Sequence, residues 1–124
     1  MKKQIATTKA PAAIGPYSQA IDLGNMVFIS GQIPVNPATG EIPEGIKAQT
    51  AQSISNIKAI LAEAGLSIDN VVKTTVFLAD MSLFTDMNEV YGQEFTAPYP
   101  ARSAVAVREL PKQVLVEIET TAVR

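Results

Sequence analysis

The chain has 124 residues, 47% of them hydrophobic, and a formal net charge of −2 from ten Lys+Arg against twelve Asp+Glu. That length suits one domain, 1–124, able to hold a core without staples, and the charge balance gives no electrostatic footprint for nucleic acid. There is no cysteine and no histidine, which excludes disulfides, thiol nucleophiles, Ser-His-Asp triads and Cys- or His-ligated zinc, so any proton chemistry must use Asp, Glu, Lys, Tyr or water.

Lys2-Lys3 at the start is followed by Thr7-Thr8-Lys9 and Pro11 rather than an apolar stretch, so the N-terminus does not read as a signal peptide. No run approaches the ~20 apolar residues that span a bilayer. The expectation is a cytoplasmic protein with no membrane partner. Pro11 to Pro16 is irregular. Ser18 to Leu23 and Met26 to Ser30 read as strands, and Gly24-Asn25 between them reads as a tight hairpin. Residues 34–40 are rich in turn formers. From Lys47 to Ala64 the period changes: Ala51, Ile54, Ile57, Leu61 and Ala64 form an apolar helical stripe, and Gly65 fits a left-handed C-terminal cap.

Val71 to Leu78 is a strand by its Val, Thr and Phe content. Asp80 or Ser82 can cap a second helix from about Leu83 to Phe95, with Phe84, Met87, Val90 and Tyr91 on one side. Arg102 to Val107 and Val114 to Val123 follow as strands. In the last, Val114, Val116 and Ile118 face one way and Glu117 and Glu119 the other. This order predicts an α+β fold: a mixed sheet of about six strands with two helices packed on one face. The other face would be wet in a single copy, and a barrel-like oligomer would cover it.

Three places can carry chemistry. Arg102 opens a strand after Pro100-Ala101, and its planar cationic fork matches a carboxylate; a surface arginine paired with a neighbouring acid fits the position as well. Glu117 lies in a strand whose other face is apolar, so a half-buried carboxylate with a raised pKa could shuttle protons there. Glu119 shares its face, and periodicity does not choose between them. At Ser30-Gly31-Gln32, Gly31 permits close approach of backbone to a ligand, or simply makes a turn. Tyr17 and Asn88 can each hydrogen-bond a small ligand, or cap and pack. No glycine-rich phosphate loop is present.

Several segments together resemble the Rid/YjgF family of reactive intermediate deaminases. They are Ala10 to Ala20 (APAAIGPYSQA), Ser30 to Pro34 (SGQIP), Val71 to Phe77, Asn88 to Tyr91 (NEVY), Pro100 to Ser103 (PARS) and Val116 to Glu119 (VEIE). The likeness runs along essentially the whole chain and is greatest to the archetypal imine-deaminase subgroup. It implies a chorismate-mutase-like fold and a homotrimer whose sheets form a central barrel, with active sites between subunits. It implies no cofactor and no metal. The implied reaction is hydrolysis of 2-aminoacrylate and 2-aminocrotonate, in their imine forms, to 2-oxo acids and ammonia. In that reading Arg102 grips the substrate carboxylate, Glu117 positions or activates water, and Tyr17, Ser30, Gly31 and Asn88 line the pocket. The chain departs from many members at Ala104, where they carry cysteine; deamination needs no thiol, but a thiol-based switch would be lost. The segment Thr96 to Tyr99 also looks shorter than in some relatives, which bears on the pocket rim. Two other readings compete. One is a regulatory trimer that binds a 2-oxo acid without turnover. The other is a ribonuclease, which the charge balance and the absence of histidine oppose.

Overall fold

The computed structural model describes residues 1–124. Six strands and two α-helices follow in the order β1 (Lys3–Ile5), β2 (Ala20–Asp22), β3 (Met26–Gln32), α1 (Ile46–Glu63), β4 (Val71–Leu78), α2 (Phe84–Glu94), β5 (Ala101–Ala106) and β6 (Val116–Val123). They build one sheet in the order β1-β2-β3-β6-β4-β5. Every neighbour pair is antiparallel except β4 and β5, which are parallel and joined through α2. The mixed α+β architecture therefore matches the sequence expectation. The sheet of one chain is open, with β1 and β5 as its edges, and is not a closed barrel.

The Gly24-Asn25 hairpin forms as read: Leu23 N–H donates to the Met26 carbonyl at 2.8 Å, and Gly24 takes a φ of 99°. Helix α1 ends at the cap Ala64, where Gly65 supplies a φ of 76°. Its buried seam is rotated from the expected stripe. Ile46, Thr50, Ser53, Ile54, Ile57, Ile60 and Leu61 face inward, whereas Ala51 is exposed. A small residue gives the periodicity little weight, and Thr50, which donates its hydroxyl to the Ile46 carbonyl at 2.7 Å, is buried in its place. Asp80 accepts from Ser82 N–H at 2.8 Å, starting a short 3-10 turn that leads into α2.

Alternation divides the sheet cleanly. Val27 and Ile29 of β3, Val116, Ile118 and Ala122 of β6, and Val76 and Leu78 of β4 are buried beneath the helices. Burying the valine, isoleucine and leucine side chains among them stabilises by about 1.5–3 kcal/mol each. Phe28, Ser30, Lys73, Phe77, Glu117, Glu119 and Val105 lie on the opposite, open face, where no helix packs. Phe28 and Val105 are 45% and 44% exposed there. Two strands differ from the reading. β1 was not located from sequence, because only Ile5 of its three residues is buried. β3 continues past Ser30 to Gln32 through a bulge: Ile29 pairs with Thr120 and Gln32 with Ile118, so β3 carries one extra residue. No helix is long and apolar enough to cross a membrane.

Candidate active site

Arg102 is the second residue of β5, opposite Thr74 in the parallel register. Its side chain turns toward the helix layer and is held by α2. Nη1 donates to Asn88 Oδ1 at 2.8 Å. The guanidinium carbon sits 4.7 Å from the centre of the Tyr91 ring and 5.5 Å from that of Phe84. Asn88 and Tyr91 are three residues apart, so one helix face presents both. The ion pairs of the chain are Lys47–Glu89, Lys58–Glu94 and Arg124–Asp22. Arg102 belongs to none of them, so the bland alternative, a surface arginine neutralised by an acid, does not describe it. A cleft of ≈ 450 Å³ opens beside the guanidinium, walled by Asn88, Tyr91, Gly92, Tyr99 and Pro100. An uncompensated planar cation at the wall of a small cleft is suited to one carboxylate.

Glu117 lies on the other face of the sheet. In the antiparallel register it stands beside Phe77, whereas Arg102 stands beside Thr74 of the same strand. Those two positions are three residues apart on β4, about 10 Å along the strand. Within one chain Arg102 and Glu117 therefore do not meet. Glu117 is half-buried and Glu119 exposed, a distinction that alternation did not supply. Burial pushes the Glu117 carboxyl above its ordinary range, and the nearby Glu119 charge pushes the same way.

Gly31 makes room for that carboxylate. A Cβ built on Gly31 would overlap the Glu117 side chain, so glycine at this bulge leaves the room that the carboxylate occupies, and it does not serve a left-handed turn. Ser30 faces the open side and donates its hydroxyl to the Ser18 carbonyl at 2.7 Å. Tyr17 is 53% exposed on the loop before β2. Tyr17 and Gly31 share a groove of ≈ 560 Å³ with Ile14, Gln32 and Lys112. The six residues singled out from sequence thus form two groups: Arg102 with Asn88 on the helix side, and Glu117, Gly31, Ser30 and Tyr17 on or beside the open face. From sequence Tyr91 is placed on one side of the second helix and in the NEVY segment, with no role of its own. Its i, i+3 spacing from Asn88 was the signal that it also faces Arg102.

No cluster of three or more acidic side chains could hold a metal ion. Fold and cleft define a small α+β protein with a cation fixed at the wall of a small cleft. The comparisons make this specific. The family model described as endoribonuclease L-PSP matches residues 7–124. The 2-iminobutanoate/2-iminopropanoate deaminase of Escherichia coli is 56% identical over 127 residues, covering 100% of this chain and 99% of the relative. Among solved structures, E. coli TdcF with bound serine superposes with a TM-score of 0.94 at 53% identity, covering 98% of both chains. A Rid-family protein from Yersinia pestis reaches 0.97 at 46% identity over 100% of each. The chain belongs to the Rid/YjgF family.

Proposed function

We propose that this chain is a hydrolytic deaminase of small 2-imino and 2-enamino acids, acting in the cytoplasm as one catalytic domain, 1–124. The observation that carries this reading is the guanidinium of Arg102, held by a ring and a neutral amide with no acid beside it. The similarity to the E. coli deaminase supplies the reaction class. The substrates would be 2-aminoacrylate and 2-aminocrotonate in their imine forms. Arg102 binds the carboxylate and fixes the neighbouring C=N carbon. Water adds to that carbon to give a carbinolamine. Its C–N bond then breaks, releasing ammonia and leaving the C=O of a 2-oxo acid. Orientation and one proton shuttle are enough for such an electrophile, and Glu117, with its raised pKa, is the shuttle.

The two groups of site residues must come together for this to work. In the assembly we propose, a homotrimer, the open faces of three sheets surround a shared barrel. Each cleft at Arg102 then meets Glu117, Gly31 and Tyr17 of the next copy. Two facts support it: the separation of Arg102 from Glu117 within one chain, and the apolar side chains Phe28 and Val105 left on the open face. The test is to add purified protein to freshly generated 2-aminoacrylate and follow ammonia and pyruvate. Faster release of both is the expected result. Binding of pyruvate without any gain in rate would instead mark a regulatory sensor. RNA cleavage that vanishes with Arg102→Ala would mark a ribonuclease, which a net charge of −2 disfavours.

A further inference from the structure

We propose that Tyr91 and Thr74 together are the positioning unit of Arg102, a stacked ring latched by a buried hydroxyl pair to the strand beside the arginine. The inference rests on the reading of Arg102 as carboxylate clamp and adds two residues to it. An arginine on an edge strand has many rotamers, and a clamp needs one. Here the constraint closes on itself. Thr74 stands directly opposite Arg102 in the register of β4 and β5. Its hydroxyl meets the Tyr91 hydroxyl at 2.7 Å, with both residues buried. The Tyr91 ring is pinned from behind by Phe95, at 4.3 Å between ring centres and 23° between planes. Its front carries the Arg102 guanidinium at 4.7 Å.

This device has a chemical consequence. A carboxylate partner would also orient the arginine, but it would compete with the substrate's own carboxylate for the same N–H groups. A ring quadrupole attracts the cation without occupying its in-plane donors. Asn88 takes one of those donors, at Nη1, through a neutral carbonyl. The rest of the fork remains free to face the cleft. Removal of the hydroxyl latch would let the ring tilt; removal of the ring would let the guanidinium swing. Neither change alters the groups that act on water, so the loss belongs in substrate binding rather than in the chemical step.

The experiment compares Tyr91→Phe, Tyr91→Leu and Thr74→Val in the full-length protein, with Arg102→Ala as reference. Tyr91→Leu is expected to raise KM about five- to thirtyfold, between the worth of an exposed and of a desolvated cation–ring contact, since Arg102 is half-buried, with kcat nearly retained. Tyr91→Phe keeps the stack and should recover most of that loss. A residual two- to threefold rise, the low end of what a neutral hydrogen bond contributes, should be shared by Thr74→Val and not doubled in the double variant. A second readout separates positioning from mere packing: affinity for pyruvate against its neutral amide. Tyr91→Leu should weaken the acid and spare the amide, whereas general damage to the cleft would weaken both and overturn the proposal. If Tyr91→Leu does not fold, the same acid-to-amide ratio in Tyr91→Phe and Thr74→Val decides. An unshifted ratio in variants that fold, with Arg102→Ala inactive, would sink the positioning unit and leave the clamp standing. An active Arg102→Ala would remove the clamp itself.

Discussion

Around Arg102, every group that holds the side chain comes from its own chain: the ring of Tyr91, the amide of Asn88 and the register with Thr74. Around Glu117 the same chain supplies only part of a setting. Gly31 makes space and Phe77 lies alongside, yet the face is open and its apolar side chains are uncovered. One region holds a charge still; the other is left open. The contrast divides the candidate residues into a set ordered within the chain and a set standing on a face that this chain leaves uncovered.

The largest expected effect breaks the finished half. Arg102→Ala should lower kcat/KM by about thirty- to five-thousand-fold, equivalent to the ~2–5 kcal/mol lost when one partner of a desolvated charge pair is truncated. Sedimentation should show an unchanged mass, because the side chain is held by its own α2. Turnover near that of the parent would show that the fixed cation is ornamental.

The next effect lies on the unfinished half. Glu117→Gln should slow kcat by about 10²-fold, the low end for a lost general acid or base because the imine carbon is already electrophilic, and Glu119→Gln should cost far less. The acid limb of the parent's pH–rate profile should fall above the ordinary glutamate range and vanish in Glu117→Gln. The stability consequence has a definite sign. A carboxyl whose pKa is raised in the folded state favours folding while it is protonated. That contribution is lost as pH rises through the folded pKa. Once ionised, Glu117 therefore weighs against the fold, and above its folded pKa Glu117→Gln should melt higher than the parent. The gain should shrink to nothing in acid, below the unfolded glutamate range. Equal kinetic losses in the two variants would mean that burial did not select the working acid.

Much of this was legible in the sequence, and what was not has physical causes. The strand β4, both helices and the hairpin at Gly24 stood out because their apolar periods are regular and their caps are local. β1 was missed because an edge strand with one buried residue has no period to read. The bulge at Ser30-Gly31 reads as a strand end from sequence, since a single glycine looks the same in both settings. Arg102, Glu117 and Asn88 were recognised as candidates from their motifs, but which of them meet is a matter of pairing order. The parallel contact of β4 with β5, set across a crossover, leaves no mark in either strand. The double duty of Tyr91 was hidden for a related reason: an aromatic on a helix's apolar side looks like core until the residue stacked on it is known.

The smallest effects sharpen the same contrast with one kind of substitution made twice. At Gly31 an added methyl would collide with the Glu117 side chain. Gly31→Ala should therefore destabilise by about 1–3 kcal/mol, as overpacking does, and slow turnover by displacing the acid. At Gly92, near the end of α2, an added methyl meets nothing within 4 Å, and the backbone is helical. Gly92→Ala should therefore stabilise by about 0.5–1 kcal/mol through helix propensity alone, a rise of roughly 2–5 °C in Tm by calorimetry. The two glycines would then have opposite reasons to exist: one is required by a neighbour's carboxylate, the other leaves space beside the clamp at a cost to the helix. A stabilising Gly31→Ala would mean that Glu117 moves aside without penalty. The half-buried acid on which the open-face half of the site depends would then lose its fixed place.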